Sequence, residues 1–252
     1  MGRNNILISG ASSGLGAAMA RRFAAMNRNL ALCARRTERL DALAAELRSA
    51  HPSITVSVRP LDVNDHEAVF ETFRAFDTDL AGVDRVIVNA GMGKGAPLGT
   101  GHFAANRQTA ETNFIAALAQ AEAALELFRP RNDGHLVLIS SMSAVRGLPR
   151  SMNAYAASKA AVSAMGEGLQ AEFLRSLIVV STILPGYIRT ELNEKVRDTP
   201  MIVGIDKGSQ ALVRAIEREP RRACVPAWPW RPMDLLMRVM PLRGVAKMAD
   251  PY

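Results

Sequence analysis

Short runs of consecutive apolar residues alternate along this chain with longer stretches whose apolar positions fall at helical spacing. The first run, NILIS at residues 5–9, leads into the small-residue stretch GASSGLG. A helix is predicted over Gly14–Asn27, with Leu15, Met19, Ala20 and Phe23 on one face. LALCAR (Leu30–Arg35) is the next strand. TERLDALAAELRSA then reads as a helix, with Thr37 as its cap and Leu40, Leu43, Ala44 and Leu47 as its apolar face. The alternation continues through strand ITVSVRPLDV, helix HEAVFETFRAF, strand VDRVIVNAG and a long helix over Phe103–Phe128. Strand GHLVLISS, a helix over Asn153–Leu174 and strand IVVSTILPG follow. Beyond Gly186 the pattern weakens until a helix near Gly208–Arg218 and a short strand, RACVPA.

Uninterrupted apolar runs suit strands buried on both faces, and their alternation with helices implies a parallel sheet covered on both sides. The expected fold is α/β: a doubly wound, Rossmann-like parallel sheet in a single domain. Its core spans about residues 4–190, and a helical substrate lid with a C-terminal extension occupies about 191–252. Right-handed crossovers put the binding crevice beyond the carboxyl ends of the strands. The polar groups that interrupt the pattern all follow a strand: Ser9–Gly16, Arg35–Arg36, Asp62, Asn89–Gly91, Ser140–Ser141 and Pro185–Gly186. They gather along one edge of the sheet.

Composition narrows the classes. The 252 residues are 48% hydrophobic with a mean hydropathy of +0.03, enough for one large core and too apolar for disorder. No apolar run is long enough to span a bilayer, and MGRNNI carries neither signal-peptide nor myristoylation features. Cys33 and Cys224 lack metal-ligand spacing and read as buried, reduced thiols of a cytoplasmic protein. A net charge of +7 asks for an anionic partner. The arginines are scattered and aromatics are only 5%, which argues against nucleic acid and for a phosphate-bearing small molecule or an anionic surface.

Gly10, Gly14 and Gly16 lie between the first strand and the first helix. Glycine permits close backbone approach to a pyrophosphate, and the helix N-terminus offers it free N–H groups. The second strand ends in CARR, where a site for NAD would place a carboxylate against the ribose hydroxyls. Ala34 stands there instead, and Arg35 and Arg36 can grip a 2′-phosphate. These residues predict NADP(H) over NAD(H). Tyr155 and Lys159 are four apart in YAASK, so both tips project from one helix face.

SGASSGLG, NAG at Asn89–Gly91, ISS at Ile139–Ser141, YAASK and PG at Pro185–Gly186, in this order, resemble the short-chain dehydrogenase/reductase (SDR) family over nearly the whole chain to about Thr190. The resemblance implies an NADP(H)-dependent oxidoreductase that interconverts a ketone or aldehyde and an alcohol by hydride transfer. It gives Tyr155 the role of general acid/base, and Lys159 that of binding the nicotinamide ribose and lowering the tyrosine pKa. Ser141 would hydrogen-bond the substrate carbonyl, with Ser143 and then Ser140 as the next choices. Asn113 would hold a water near the lysine. The implied nucleotide contacts are Gly10, Ser12, Ser13, Gly14, Leu15, Gly16, Arg35, Arg36, Asp62, Val63, Asn89, Ala90, Gly91, Tyr155, Lys159, Pro185, Gly186, Ile188 and Thr190. Ser9 replaces a more usual threonine and keeps the hydroxyl. The family also implies a homodimer or homotetramer built on the two long helices. An oxidative alcohol or steroid dehydrogenase is the second reading. A non-catalytic nucleotide sensor is the third, and it would lack part of the tyrosine–lysine–serine set.

The substrate side is expected from Met92, Met142, Ser143, Leu148, Pro149 and the stretch DTPMIVGID, which are mostly apolar and suit a lipophilic or 3-oxoacyl compound. In PAWPWRPMDLLMRVMPLRGVAKMADPY both tryptophans meet Arg231, Arg238, Arg243 and Lys247. A helix starting near Pro232 and breaking at Pro241 would serve as lid, packed tail or peripheral membrane contact.

Overall fold

The predicted alternation is present in the computed structural model, which describes residues 2–93, 95–191 and 201–248. The elements on the first half are β1 (Asn5–Ser9), α1 (Gly14–Ala24), β2 (Asn29–Ala34), α2 (Thr37–Ala50), β3 (Val56–Pro60), α3 (His66–Asp79) and β4 (Arg85–Val88). The second half holds α4 (Phe103–Ala110), α5 (Ala116–Phe128), β5 (Asp133–Ile139), α6 (Asn153–Glu172) and β6 (Leu177–Pro185). It ends with α7 (Ile205–Glu217), β7 (Arg222–Val225), α8 (Ala227–Val239) and α9 (Leu242–Met248). Among the described residues, seven strands form one parallel sheet in the order β3-β2-β1-β4-β5-β6-β7. The order reverses between β1 and β4, so the ligand crevice of a doubly wound sheet lies beyond their carboxyl ends.

Strand pleating sorts the core into two layers. Ile6, Ile8, Leu30, Leu32, Ile87 and Val137 face α1, α2 and α7, meeting Met19, Phe23, Leu43 and Leu212. The intervening Leu7, Ala31, Val86, Val88, Leu136 and Leu138 face α3, α5 and α6, meeting Phe73, Phe76, Phe128 and Val162. Both faces of each central strand are thus apolar, which is why the runs are uninterrupted in the sequence.

Several boundaries differ from expectation, each for a local reason. α1 stops at Ala24 because Asn27 adopts a left-handed φ of 56°. Arg36, not Thr37, occupies the cap position of α2, and no side-chain cap bond forms there. The long helix over Phe103–Phe128 is divided by a π-helical turn at Glu111–Ile115. α8 starts at Ala227, earlier than Pro232, with a non-helical Trp228 in its first turn. It ends before Pro241, as proline requires. Cys33 is buried, and burial pushes its thiol up to about 12, whereas Cys224 is only half-buried. No helix of the described residues is long and apolar enough to cross a membrane.

Toward the opposite, amino end of the sheet lies a buried polar network. Arg85, 1% exposed, donates from Nε to His135 Nδ1 at 2.8 Å and bonds Glu217 through Nη1. Nδ1 must therefore carry the lone pair, so the Nε2 proton goes to Ser181 Oγ, 2.8 Å away. Burial, with Arg85 and Arg3 nearby, drives the His135 pKa well below its ordinary 6.5. The folded state thus binds fewer protons than the unfolded chain below that value. Stability present above about pH 6.5 is lost as the pH falls toward the folded pKa, at up to about 1.4 kcal/mol per pH unit. Thermal unfolding should show a midpoint that declines between about pH 6.5 and 5, and His135→Asn should flatten that decline. A native midpoint level across the window would refute the assignment.

Candidate active site

The crevice is organised by contacts between β1 and β4. Ser9 Oγ accepts from the backbone N–H groups of Asn89 and Ala90, both at 3.1 Å, so the serine at this position does hold the junction. The Asn89 side-chain amide donates to the Ser9 carbonyl at 2.9 Å. Gly10 has a φ of +64°, and a Cβ on it would sit 2.9 Å from Ala90 Cα. A Cβ on Gly16 would meet Asn89 Nδ2 at 2.8 Å and Ala11 Cα at 3.0 Å. The turn is therefore tight against β4, and α1 begins just beyond it with no acidic residue in its first turn. That is a cradle of free N–H groups for a phosphate.

The cations at the end of β2 are arranged over this turn. Arg36 donates to Ser13 Oγ and, at 3.3 Å, to Ser12 Oγ. Its third nitrogen meets Glu191 at 3.3 Å. Arg39 also binds Glu191, at 2.8 and 2.9 Å to its two oxygens, and this bond, more than that from Arg36, holds the carboxylate below its usual pKa. One carboxylate thus bridges two guanidinium groups beside the glycine turn. Arg35 points elsewhere, 66% exposed and 3.9 Å from Asp62. With Pro60, Leu61, Asp65 and Ala68, Arg35 and Asp62 line a shallow cleft of about 380 Å³. Asp62 itself caps the loop by accepting from the backbone and side chain of Asn64 at 3.1 Å.

The remaining expected nucleotide residues divide by accessibility. Val63 and Ile188 are buried, 7% and 3% exposed. Leu15 packs against the core layer under α1. Thr190 lies over the glycine turn, its Cβ 3.6 Å from where a Cβ of Gly14 would be. Pro185 ends β6, and Trp230 of α8 packs onto Gly186 where a side chain would otherwise stand. Of the stretch DTPMIVGID, residues 198–200 lie outside the described residues.

The catalytic candidates meet at the ends of β4 and β5. Ser141 accepts from Ser143 N at 3.1 Å, and its hydroxyl lies near enough to the Tyr155 phenol to act on its pKa. Ser140 is instead bound to the Lys159 carbonyl and Ser163 Oγ, both at 2.8 Å, which favours Ser141 over Ser140. Tyr155 is half-buried, yet its hydroxyl is desolvated enough that burial raises its pKa; the Ser141 bond opposes this and Tyr187 adds to it. Lys159 is 6% exposed, and burial lowers its pKa to about 8. No hydrogen bond joins the Tyr155 and Lys159 tips among the described residues. The ammonium donates to the Ile139 carbonyl at 2.9 Å and is not among the groups that shift the phenol. It lies beside Gly91, as does Asn113 Oδ1. The Asn113 amide is committed on both sides: Oδ1 accepts from Met92 N at 2.8 Å, and Nδ2 donates to Met92 O at 2.9 Å.

Four participants escaped the sequence reading. Arg39 follows Arg36 by one helical turn in RRTERL, a spacing that could have revealed it. Glu191 has no local signal. Tyr187 directly follows Gly186, and its ring meets Trp230 edge-on at 5.4 Å. Trp230 is 5% exposed, and its indole N–H has no partner among the described residues.

Comparison with known proteins places these features in context. Residues 4–201 match the profile of the short chain dehydrogenases. An uncharacterized oxidoreductase of Mycobacterium tuberculosis is 54% identical over 247 residues, 98% of each chain. The human dehydrogenase/reductase SDR family member 11 is 34% identical over 198 residues, 76% of each chain. Among solved structures, a short-chain dehydrogenase from Sphingobium yanoikuyae in complex with NADPH aligns with a TM-score of 0.80 at 29% identity, covering 98% of this chain and 96% of that one.

The tightness of the glycine turn is directly testable. Gly16→Ala should cost about 1–3 kcal/mol of stability by overpacking and weaken nucleotide binding severalfold. Denaturant unfolding and an ADP titration measure the two effects; an unaltered variant would show the turn to be looser than described.

Proposed function

The chain belongs to the short-chain dehydrogenase/reductase family, and from that premise we propose that it is an NADP(H)-dependent oxidoreductase interconverting an apolar ketone or aldehyde and its alcohol. The observation that carries this reading is the pairing of Ser141 with the Tyr155 phenol at the end of β5, together with the convergence of Lys159 and Asn113 on Gly91 at the end of β4. Gly10 and Gly16 let the turn pack closely on β4 at the start of α1, and the phosphate-seeking groups above it fit the charge of a dinucleotide. The bound nicotinamide supplies the hydride for reduction and accepts it in the reverse direction.

The protein residues then manage the oxygen and its proton. Ser141 Oγ accepts from Ser143 N–H, and its hydroxyl hydrogen, directed at the Tyr155 phenol, can turn to steady the substrate oxygen. Tyr155 gives its proton to that oxygen as negative charge develops there. Burial keeps the phenol protonated at neutral pH, the state an acid needs before reduction. Lys159, with a pKa of about 8, is mostly an ammonium at neutral pH. Held by the Ile139 carbonyl, it can bind a ribose hydroxyl of the nicotinamide nucleotide and return a proton through it. Since the Asn113 side chain is taken by Met92, a water in this relay would meet the asparagine backbone.

NADP(H) is favoured because Arg36 and Arg39 already share an anion at the end of β2, where a carboxylate would be expected for NAD. A 2′-phosphate can take the place of the Glu191 carboxylate there. The apolar substrate is favoured by Met142, Leu184 and Trp230, which cluster beside the site with Val145 and Met233. Exposed Phe103, Ile115 and Leu118 support a homo-oligomer built on α4 and α5. The complete serine–tyrosine–lysine set favours an enzyme over a nucleotide sensor.

Two variants separate chemistry from binding. Tyr155→Phe should reduce turnover of a carbonyl panel by about 10²–10⁴-fold while NADPH affinity stays within about twofold. Near-native turnover would remove Tyr155 from the acid role. Arg36→Ala should weaken NADPH binding by about tenfold and leave NADH within about twofold. A native protein that binds NADH more tightly than NADPH would overturn the cofactor assignment.

A further inference from the structure

The C-terminal helices present apolar side chains on both of their broad faces. The inner face of α8 buries Trp230, Asp234 and Met237 at helical spacing. The outer face carries Leu235 and Val239, 65% and 79% exposed, and continues into Leu242 at the start of α9, 74% exposed. Leu235 and Val239 are one turn apart on α8, and Leu242 opens α9 just beyond the extended Met240–Pro241 link. A helix on a protein surface ordinarily turns polar residues to water, so this outer stripe is without a partner among the described residues.

The charges around the stripe identify its partner. Residues 227–248 contain Arg231, Arg238, Arg243 and Lys247, and one acid, Asp234. Asp234 is buried, accepts two bonds from Arg222 at 2.8 and 2.7 Å and meets Arg238 at 3.4 Å, so Arg231, Arg243 and Lys247 are left as the cations it does not offset. A second copy meeting this face about a two-fold axis would set like charges against like, at a cost. A lipid leaflet with anionic headgroups satisfies both features: the apolar side chains enter the headgroup–acyl boundary and the cations lie against phosphates. Trp228, 79% exposed at the start of α8, has the side chain favoured at that boundary.

We infer that the outer face of α8 and α9 docks this protein peripherally on an anionic lipid surface. The inner face of the same helix rests on Gly186 through Trp230, so docking brings the candidate site close to the bilayer. The inference stands on the surface itself and does not depend on the cofactor or the reaction assigned above.

The test is co-sedimentation of the full chain with vesicles of phosphatidylcholine alone and of phosphatidylcholine mixed with phosphatidylglycerol, at low and high salt. Pelleting with the mixed vesicles should exceed that with phosphatidylcholine alone by roughly tenfold and fall with salt. Leu235→Glu/Val239→Glu should abolish it. These side chains are exposed, so the variant should keep its thermal midpoint, which confirms folding. Absence of pelleting by the native chain overturns the proposal, as does equal pelleting by the variant. A lipid-independent dimer that only the variant disrupts, without native vesicle binding, assigns the face to a second copy and also overturns it.

Discussion

The seam between the ends of β1 and β4 is the constraint on which the rest of the site depends. One serine hydroxyl takes two consecutive backbone N–H groups, one asparagine amide returns a bond to the serine carbonyl, and a glycine lets the two backbones approach. On one side of the seam lies the phosphate turn, with its serines under Arg36. On the other lies Gly91, where Lys159 and Asn113 converge. A ligand long enough to touch both would register its two ends against a single rigid joint. Precise placement of reacting groups by elements that do not themselves react is a large part of what a catalytic scaffold contributes.

Water exclusion sets the electrostatics around that joint. The same burial raises the Tyr155 pKa and lowers that of Lys159, so both groups move toward their neutral forms. Of the two, only the tyrosine is held firmly in one state at neutral pH. The serine bond partly offsets its shift, while Tyr187 increases it. Positive charge brought close to the phenol would therefore act on a group already poised by burial, in a medium where charge interactions are strong. The arrangement leaves Lys159 bound to a backbone carbonyl rather than to the phenol, so its ammonium remains available to a ligand hydroxyl.

Much of this was legible in the chain because the fold writes its burial pattern directly. Strands covered on both faces must be continuously apolar, and glycines, an asparagine and hydroxyls at their ends mark where that rule is relaxed. The features that were not legible share a cause: they depend on partners distant in sequence or on a change too small to alter periodicity. The π turn at Glu111–Ile115 inserts itself into a run rich in alanine, whose small side chains blur the helical phase. Arg85, His135 and Ser181 are ordinary polar residues until three parallel strands put them in line. Thr37 looks like a helix cap, but the arginine before it takes the cap position. Glu191 acquires meaning only when the segment after β6 returns over α2.

The excess of positive charge also finds a structural explanation. Much of it is locally balanced: Arg3, Arg28, Arg85 and Arg222 lie in partly buried pairs that join β-strands to the second half of the chain. Two groups of cations gather around distinct features. Arg36 and Arg39 share one carboxylate at the glycine turn, and the C-terminal helices set four cations against a single buried acid. Neither group forms the continuous basic stripe that a nucleic-acid backbone would need. The first is compact and bidentate, suited to one phosphate. The second is spread around an apolar stripe, suited to a surface with charge outside and hydrocarbon beneath. Geometry rather than net charge is what separates the kinds of anion that these two groups would suit.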